Sequence, residues 1–89
     1  MTDGKESKLL NVGYGNMVAR ARIVAVVSSQ SSASRRLRGE AEKKNMLVDA
    51  TQGRRTRSIL VMDTGHVVMS AVNPETVSAR IEGGEVEIA

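Results

Sequence analysis

Apolar residues in this chain fall into short runs separated by polar or glycine-rich segments, a pattern typical of a small sheet. The first run, residues 9–12, ends at residues 13–16, whose two glycines favour a turn. A longer run, residues 17–27, is rich in valine and isoleucine and predicts a single second strand. Arg20 and Arg22 would share one face of that strand, because side chains repeat every two residues.

The middle of the chain predicts one helix. Residues 28–32 are polar and supply hydroxyl groups that can cap a helix start. Ala33, Leu37 and Ala41 then recur at helical spacing among charged side chains. Asn45 follows the last of them and can take the left-handed conformation that ends a helix.

A β-hairpin is the clearest element of the sequence. Residues 46–48 form a short strand that ends at Asp49, and residues 58–62 and 66–72 then flank a turn at residues 63–65. Both hairpin strands are almost continuously apolar, so we expect both of their faces to be covered, either by helices or by another subunit.

A second helix is predicted to begin at Asn73. This residue offers a capping side chain, Pro74 needs no amide partner in the first turn, and Glu75 places a carboxylate there. Val77 and Ile81 share a face that can dock on the sheet. The sequence therefore predicts an α+β fold, with a small and mostly antiparallel sheet, one central helix and a short C-terminal helix.

Composition narrows the class of protein. The chain has 89 residues, no cysteine, and Tyr14 as its only aromatic residue, so it can form one domain with a thin core. We therefore expect a homo-oligomer. Apolar runs fall short of the roughly 20 residues that span a bilayer, and residues 1–8 lack a hydrophobic signal core, so a cytoplasmic location is expected.

Positive charge is concentrated in the middle of the chain. The net charge is +3 overall, but +6 within residues 16–66 and −3 within residues 67–89. Arg54, Arg55 and Arg57 follow one glycine, and such closely spaced guanidinium groups suit phosphate. The alternative is a solvated surface whose arginines pair with Asp49 or with a neighbour's carboxylate.

Three strings of residues closely resemble the extracellular matrix regulatory protein RemA family of small bacterial DNA-binding regulators: NVGYGNMV, RIVAVVS and MLVDATQGRRTRSILVMDTGHVVMSAVNPETVSARI. The resemblance covers residues 9–81 as a single domain, with residues 1–8 and the acidic residues 82–89 as flexible tails. It implies double-stranded DNA binding by a ring-like homo-oligomer, and activation of matrix, biofilm or osmoprotection genes in some members.

The resemblance also implies which residues contact DNA. Carried over by position, the family's DNA-contacting arginines fall on Arg22, Arg54 and Arg55, and Arg57 lies beside them. This chain departs from the family at residues 28–45, where members usually have a Pro-x-Ser-Ala-Pro segment and a glycine in place of Asn45. These departures concern the start of the first helix and subunit packing more than the arginines.

Other chemistry is poorly supported by the sequence. Residues 13–16 lack the string of a phosphate-binding loop, His66 has no second metal ligand, and no nucleophile, base and orienting group converge. We therefore expect no enzyme, no cofactor and no small-molecule substrate. Besides a nucleoid-associated DNA-binding regulator, two classes stay open: an RNA-binding module, although Tyr14 alone could stack on bases, and an oligomeric assembly protein that holds an acidic protein or membrane surface.

Overall fold

Two sheets and two helices make up the described part of the protein, residues 8–83 of a computed structural model. Strands β1 and β2 form a separate antiparallel hairpin, and the other four strands form the main sheet. The predicted α+β fold is confirmed. In chain order the elements are β1 (Leu9–Asn11), β2 (Met17–Ala19), a 3-10 turn (Arg20–Arg22), β3 (Ile23–Ser28), α1 (Ser32–Lys43), β4 (Leu47–Asp49), β5 (Ser58–Met62), β6 (Val67–Ser70) and α2 (Pro74–Ile81).

The main sheet has the strand order β3-β5-β6-β4. Strand β5 runs antiparallel to both β3 and β6, whereas β4 runs parallel to β6 at the edge. The predicted hairpin is confirmed: Val61 pairs with Val67, and Gly65 occupies the turn with a φ of +96°. A mostly antiparallel sheet results, with β3 and β4 at its two edges.

Both faces of the central strands are covered within the chain. On one face, Ile59 and Met69 pack against Ala41 of α1. On the opposite face, Leu60 packs in a cluster with Val77 of α2 and residues of the β1–β2 hairpin. This three-layer packing explains the nearly continuous apolar sequences of β5 and β6.

The single strand predicted over residues 17–27 is wrong, because a 3-10 turn divides it into β2 and β3. The turn carries the chain from the small hairpin into the main sheet. At its start the Arg20 amide donates to the Lys8 carbonyl, and at its end the Asp63 amide donates to the Arg22 carbonyl. Arg20 and Arg22 therefore do not share a strand face.

The helix ends follow the sequence signals with one exception. Ser31 caps α1 by accepting a hydrogen bond from the Ser34 amide at 3.3 Å, and Asn45 ends the helix at a φ of +59°. Pro74 lies in the first turn of α2, as predicted. The predicted side-chain cap from Asn73 is wrong: its carbonyl accepts the first helical bond, but its side chain makes no capping bond and lines a cleft described below.

Within residues 8–83 no helix combines the length and the apolar character that crossing a membrane requires. The flexible tails expected at residues 1–8 and 82–89 lie outside the described residues, apart from Lys8, Glu82 and Gly83.

Candidate nucleic-acid interface

Residues 50–57, here called the arginine loop, connect β4 to β5 at one end of the main sheet. Gln52 and Gly53 both have positive φ values, +55° and +77°, and the Arg54 amide donates to the Thr51 carbonyl at 2.9 Å. This tight turn projects the following arginines into solvent. The loop closes where the Arg57 amide donates to the Ser70 carbonyl at 2.8 Å.

Asp49 holds the start of the arginine loop. Its Oδ1 atom accepts hydrogen bonds from the Thr51 amide at 2.9 Å and from the Thr51 hydroxyl at 2.6 Å. These bonds favour the charged carboxylate and hold the pKa of Asp49 below its usual value, with a smaller contribution from the charge of Arg38. Asp49 is therefore engaged by Thr51 rather than by the loop's arginines.

The three arginines of the loop are exposed and make no ion pair in the described part of the chain. Across residues 8–83, the guanidinium groups of Arg54, Arg55 and Arg57 make neither an ion pair nor a hydrogen bond. Their charges project into solvent from one loop, so each group keeps its donors available for an anion.

Tyr14 also belongs to this surface, although the sequence predicted only a turn at residues 13–16. The Arg54 Cζ atom lies 5.9 Å from the centre of the Tyr14 ring, within cation–π range. The Asn16 side chain fixes the turn against the loop by donating to the Ala50 carbonyl at 3.3 Å. A lone aromatic residue in a glycine turn was the signal that could have revealed this contact.

Arg22 lies at the other end of the main sheet. Its Nη1 atom is 3.1 Å from Oδ2 of Asp63, which follows β5, whereas Arg57 precedes β5. The strand between them separates the two ends by about 20 Å. The chain therefore gathers Arg54, Arg55 and Arg57 in one loop and leaves Arg22 apart, in an exposed ion pair of the kind that contributes little to stability.

Two other arginines donate hydrogen bonds that stabilise the fold. A guanidinium nitrogen of Arg20 donates to the Arg80 carbonyl at 2.6 Å, and Nη1 of Arg80 donates to the Asn11 carbonyl at 2.9 Å. These bonds tie α2 to the 3-10 turn and to β1.

His66 is a hairpin residue whose Nδ1 atom lies 2.6 Å from the Thr64 hydroxyl, a contact within the turn of the hairpin. The part of the chain that the structure describes contains no group of three histidine, cysteine or acidic residues that could hold a metal ion.

A polar cleft of about 230 Å³ opens beside the arginine loop. Three segments form its walls: the β3–α1 turn, the last residues of the arginine loop and the start of α2. The cleft thus adds uncharged polar groups to the surface formed by the arginines. Its lining residues are Ser28, Ser29, Gln30, Arg55, Thr56, Arg57, Asn73, Pro74 and Glu75.

Helix α1 carries three more exposed arginines, Arg35, Arg36 and Arg38. The helix begins at the arginine-loop end of the sheet, because the Ser29 amide donates to the Arg57 carbonyl at 3.1 Å. These side chains extend the positive field around the loop and can steer an approaching polyanion.

Comparison with known proteins gives a consistent result. The family model RemA-like, described as extracellular matrix regulatory protein A-like, matches residues 9–81. A relative from Dictyoglomus turgidum is 54% identical over 80 residues, which cover 90% of this chain and 94% of the relative. A relative from Carboxydothermus hydrogenoformans is 49% identical over 80 residues, with 90% and 92% covered. One from Shouchella clausii is 50% identical over 78 residues, with 88% and 90% covered. Their names describe them as candidate regulatory proteins.

Proposed function

The chain belongs to the RemA-like family of extracellular matrix regulatory protein A-like proteins, and from that premise we propose that it regulates transcription by binding double-stranded promoter DNA. Residues 9–81 act as a single DNA-binding domain. The family and the names of its relatives indicate regulation rather than catalysis. The observation that carries the proposal is the arginine loop, with three exposed guanidinium groups that make no ion pair within residues 8–83.

Phosphate is the partner that such a loop fits best. Arginine presents a planar set of donors that matches two phosphate oxygens at once, and it keeps its charge at every physiological pH. Each neutralised phosphate releases condensed counterions, which favours binding to a duplex. Selectivity would come from DNA shape and from any arginine that reaches a guanine edge.

One protomer offers too few contacts for firm binding, so the proposal includes a ring-like homo-oligomer. A ring repeats Arg22, Arg54, Arg55 and Arg57 around one particle, and linked sites bind far more tightly than single ones. Exposed apolar side chains support self-association. Val24 and Val48 lie on β3 and β4, the open edges of the main sheet, and are 65% and 45% exposed.

The biological setting follows from the partner. A protein bound to promoter DNA acts in the cytoplasm, at the nucleoid. Within that setting, extracellular matrix, biofilm or osmoprotection genes are the targets that the family relationship suggests, and we propose activation of such genes.

The proposal is tested by measuring binding to duplex DNA, with single-stranded RNA added as a competitor. Gel shifts with genomic duplex fragments compare the wild-type protein with the variants Arg54→Ala and Arg55→Ala, and light scattering measures the size of each particle. Lys43→Ala is the matched control, because it also removes one positive charge from an exposed side chain, at the end of α1 away from the arginine loop. We expect the loop variants to lose duplex binding at unchanged size, and the control to retain it.

Two outcomes would contradict the proposal. If single-stranded RNA displaces the duplex at equal concentration, the protein is an RNA-binding module. If the loop variants bind duplex DNA as the wild type does but no longer capture an acidic protein or an anionic membrane, the surface serves assembly.

A further inference from the structure

The walls of the polar cleft beside Arg55 and Arg57 carry several hydrogen-bond donors. Exposed arginines can contact DNA without such a cleft. Besides the two guanidinium groups, the side chains of Ser29, Gln30 and Asn73 line it. Among the described residues none of these five side chains makes a hydrogen bond. A concave site with several free donors is suited to bind an anion rather than to pack against an apolar surface.

Asn73 supplies the most specific part of this observation. It stands at the N-cap position of α2, where an asparagine side chain ordinarily accepts a hydrogen bond from the helix, but here it makes no such bond. Its carbonyl is occupied by the Val77 amide at 3.0 Å, which fixes the backbone. The amide group therefore lines the cleft with its donors available.

The charge of the cleft is positive but partly compensated. Arg55 and Arg57 contribute two positive charges, and Glu75 contributes the only carboxylate among the lining residues. A net charge of about +1 attracts an anion, and Glu75 opposes it. Removing the negative charge of Glu75 should therefore strengthen anion binding.

We propose that this cleft binds one phosphate group, with Arg55 and Arg57 holding its charge and Asn73 donating a hydrogen bond to one of its oxygens. The volume of about 230 Å³ leaves room for a phosphate together with the sugar that carries it. The group can come from a DNA backbone, in which case the inference rests on the function proposed above, or from free phosphate.

Three variants test the cleft in the full-length protein. Asn73→Asp places a negative charge in the cleft, and aspartate at an N-cap position stabilises a helix, so loss of folding would not explain weaker binding. Glu75→Gln removes the opposing charge. Glu40→Gln makes the same change of charge on the exposed surface of α1 and is the matched control.

Binding to a labelled duplex and to inorganic phosphate is then measured separately. Asn73→Asp should weaken duplex binding about ten-fold, the effect of losing one charge-assisted hydrogen bond. Glu75→Gln should strengthen it several-fold, and more than Glu40→Gln does. In nuclear magnetic resonance spectra, inorganic phosphate should shift the side-chain amide of Asn73 in the wild-type protein.

The outcomes separate the two possible sources. A change in duplex affinity assigns the cleft to the DNA backbone, whereas an Asn73 shift with unchanged duplex affinity assigns it to free phosphate, and both support the site. Unchanged duplex affinity without any shift overturns it. If Arg54→Ala still abolishes duplex binding in that case, only the cleft inference fails; if Arg54→Ala also binds normally, the proposed function fails with it.

Discussion

The guanidinium carbon of Arg54 lies 5.9 Å from the centre of the Tyr14 ring, so the arginine loop and the β1–β2 turn form one surface. Tyr14 is 53% exposed and has a φ of +54°, a conformation that few residues other than glycine adopt. The Tyr14 ring restricts the rotamers of Arg54 and leaves the edge of the guanidinium group free to bind phosphate.

Replacing Tyr14 therefore changes DNA binding through Arg54. We expect Tyr14→Ala to weaken duplex binding by a few-fold, because an exposed cation–π contact contributes about 0.5–1 kcal/mol. Tyr14→Phe keeps the ring and should bind nearly as the wild type does. Fluorescence anisotropy measures both variants, and equal losses for alanine and phenylalanine would show that the hydroxyl group acts instead of the ring.

The charged carboxylate of Asp49 should make the stability of the folded protein depend on pH. The pKa of Asp49 in the folded protein is lowered from its usual value of 3.8, mainly by the hydrogen bonds from Thr51, so the charged carboxylate stabilises the folded state. This contribution is fully present above pH 3.8 and disappears as the pH falls through the lowered value. Thermal unfolding of the wild type and of Asp49→Asn should therefore differ at neutral pH and converge in strong acid. A gap that persists below both pKa values would contradict this account.

Gly39 offers a test of α1. A Cβ atom added there would meet no atom within 4 Å, and glycine inside a helix costs about 1 kcal/mol relative to alanine. Gly39→Ala should raise the free energy of unfolding by about that amount in urea titrations. Gly65→Ala is the opposite control, since its φ of +96° strains any L side chain, and it should be destabilising.

The ion pair between Arg22 and Asp63 gives a fourth prediction. Both side chains are exposed, so Asp63→Asn should change stability by less than about 1 kcal/mol. If Arg22 contacts DNA, the variant frees its guanidinium group and should bind a duplex more tightly, whereas Arg22→Ala should bind more weakly. Isothermal titration of both variants decides this. Unchanged affinity in both would remove Arg22 from the interface.

The sequence predicted the elements whose signals are local. The hairpin at residues 58–70 follows from two apolar runs around a glycine turn, and the ends of α1 follow from Ser31 and Asn45, which act within a few residues of themselves. The sequence also predicted the arginine loop, because its three arginines lie within four consecutive positions.

The predictions that were wrong, and the contact that was not predicted, depend on packing between segments that are distant in the sequence. Residues 17–27 are apolar except for Arg20 and Arg22, and only the change from one sheet to the other at Arg20–Arg22 divides them. Asn73 carries a standard capping signal, but its side chain lines a cleft shared with residues more than 40 positions away. The contact of Tyr14 with Arg54 likewise joins two turns that no periodicity connects.

The salt dependence of duplex binding tests the central claim most directly. Affinity is measured by fluorescence anisotropy across a series of salt concentrations for the wild type and for the double variant Arg54→Ala, Arg55→Ala. We expect a steep linear fall of log affinity with log salt, with a slope of about −0.9 for each phosphate neutralised, and a much shallower slope for the variant. Identical slopes for the two proteins would show that the arginine loop does not hold the DNA backbone.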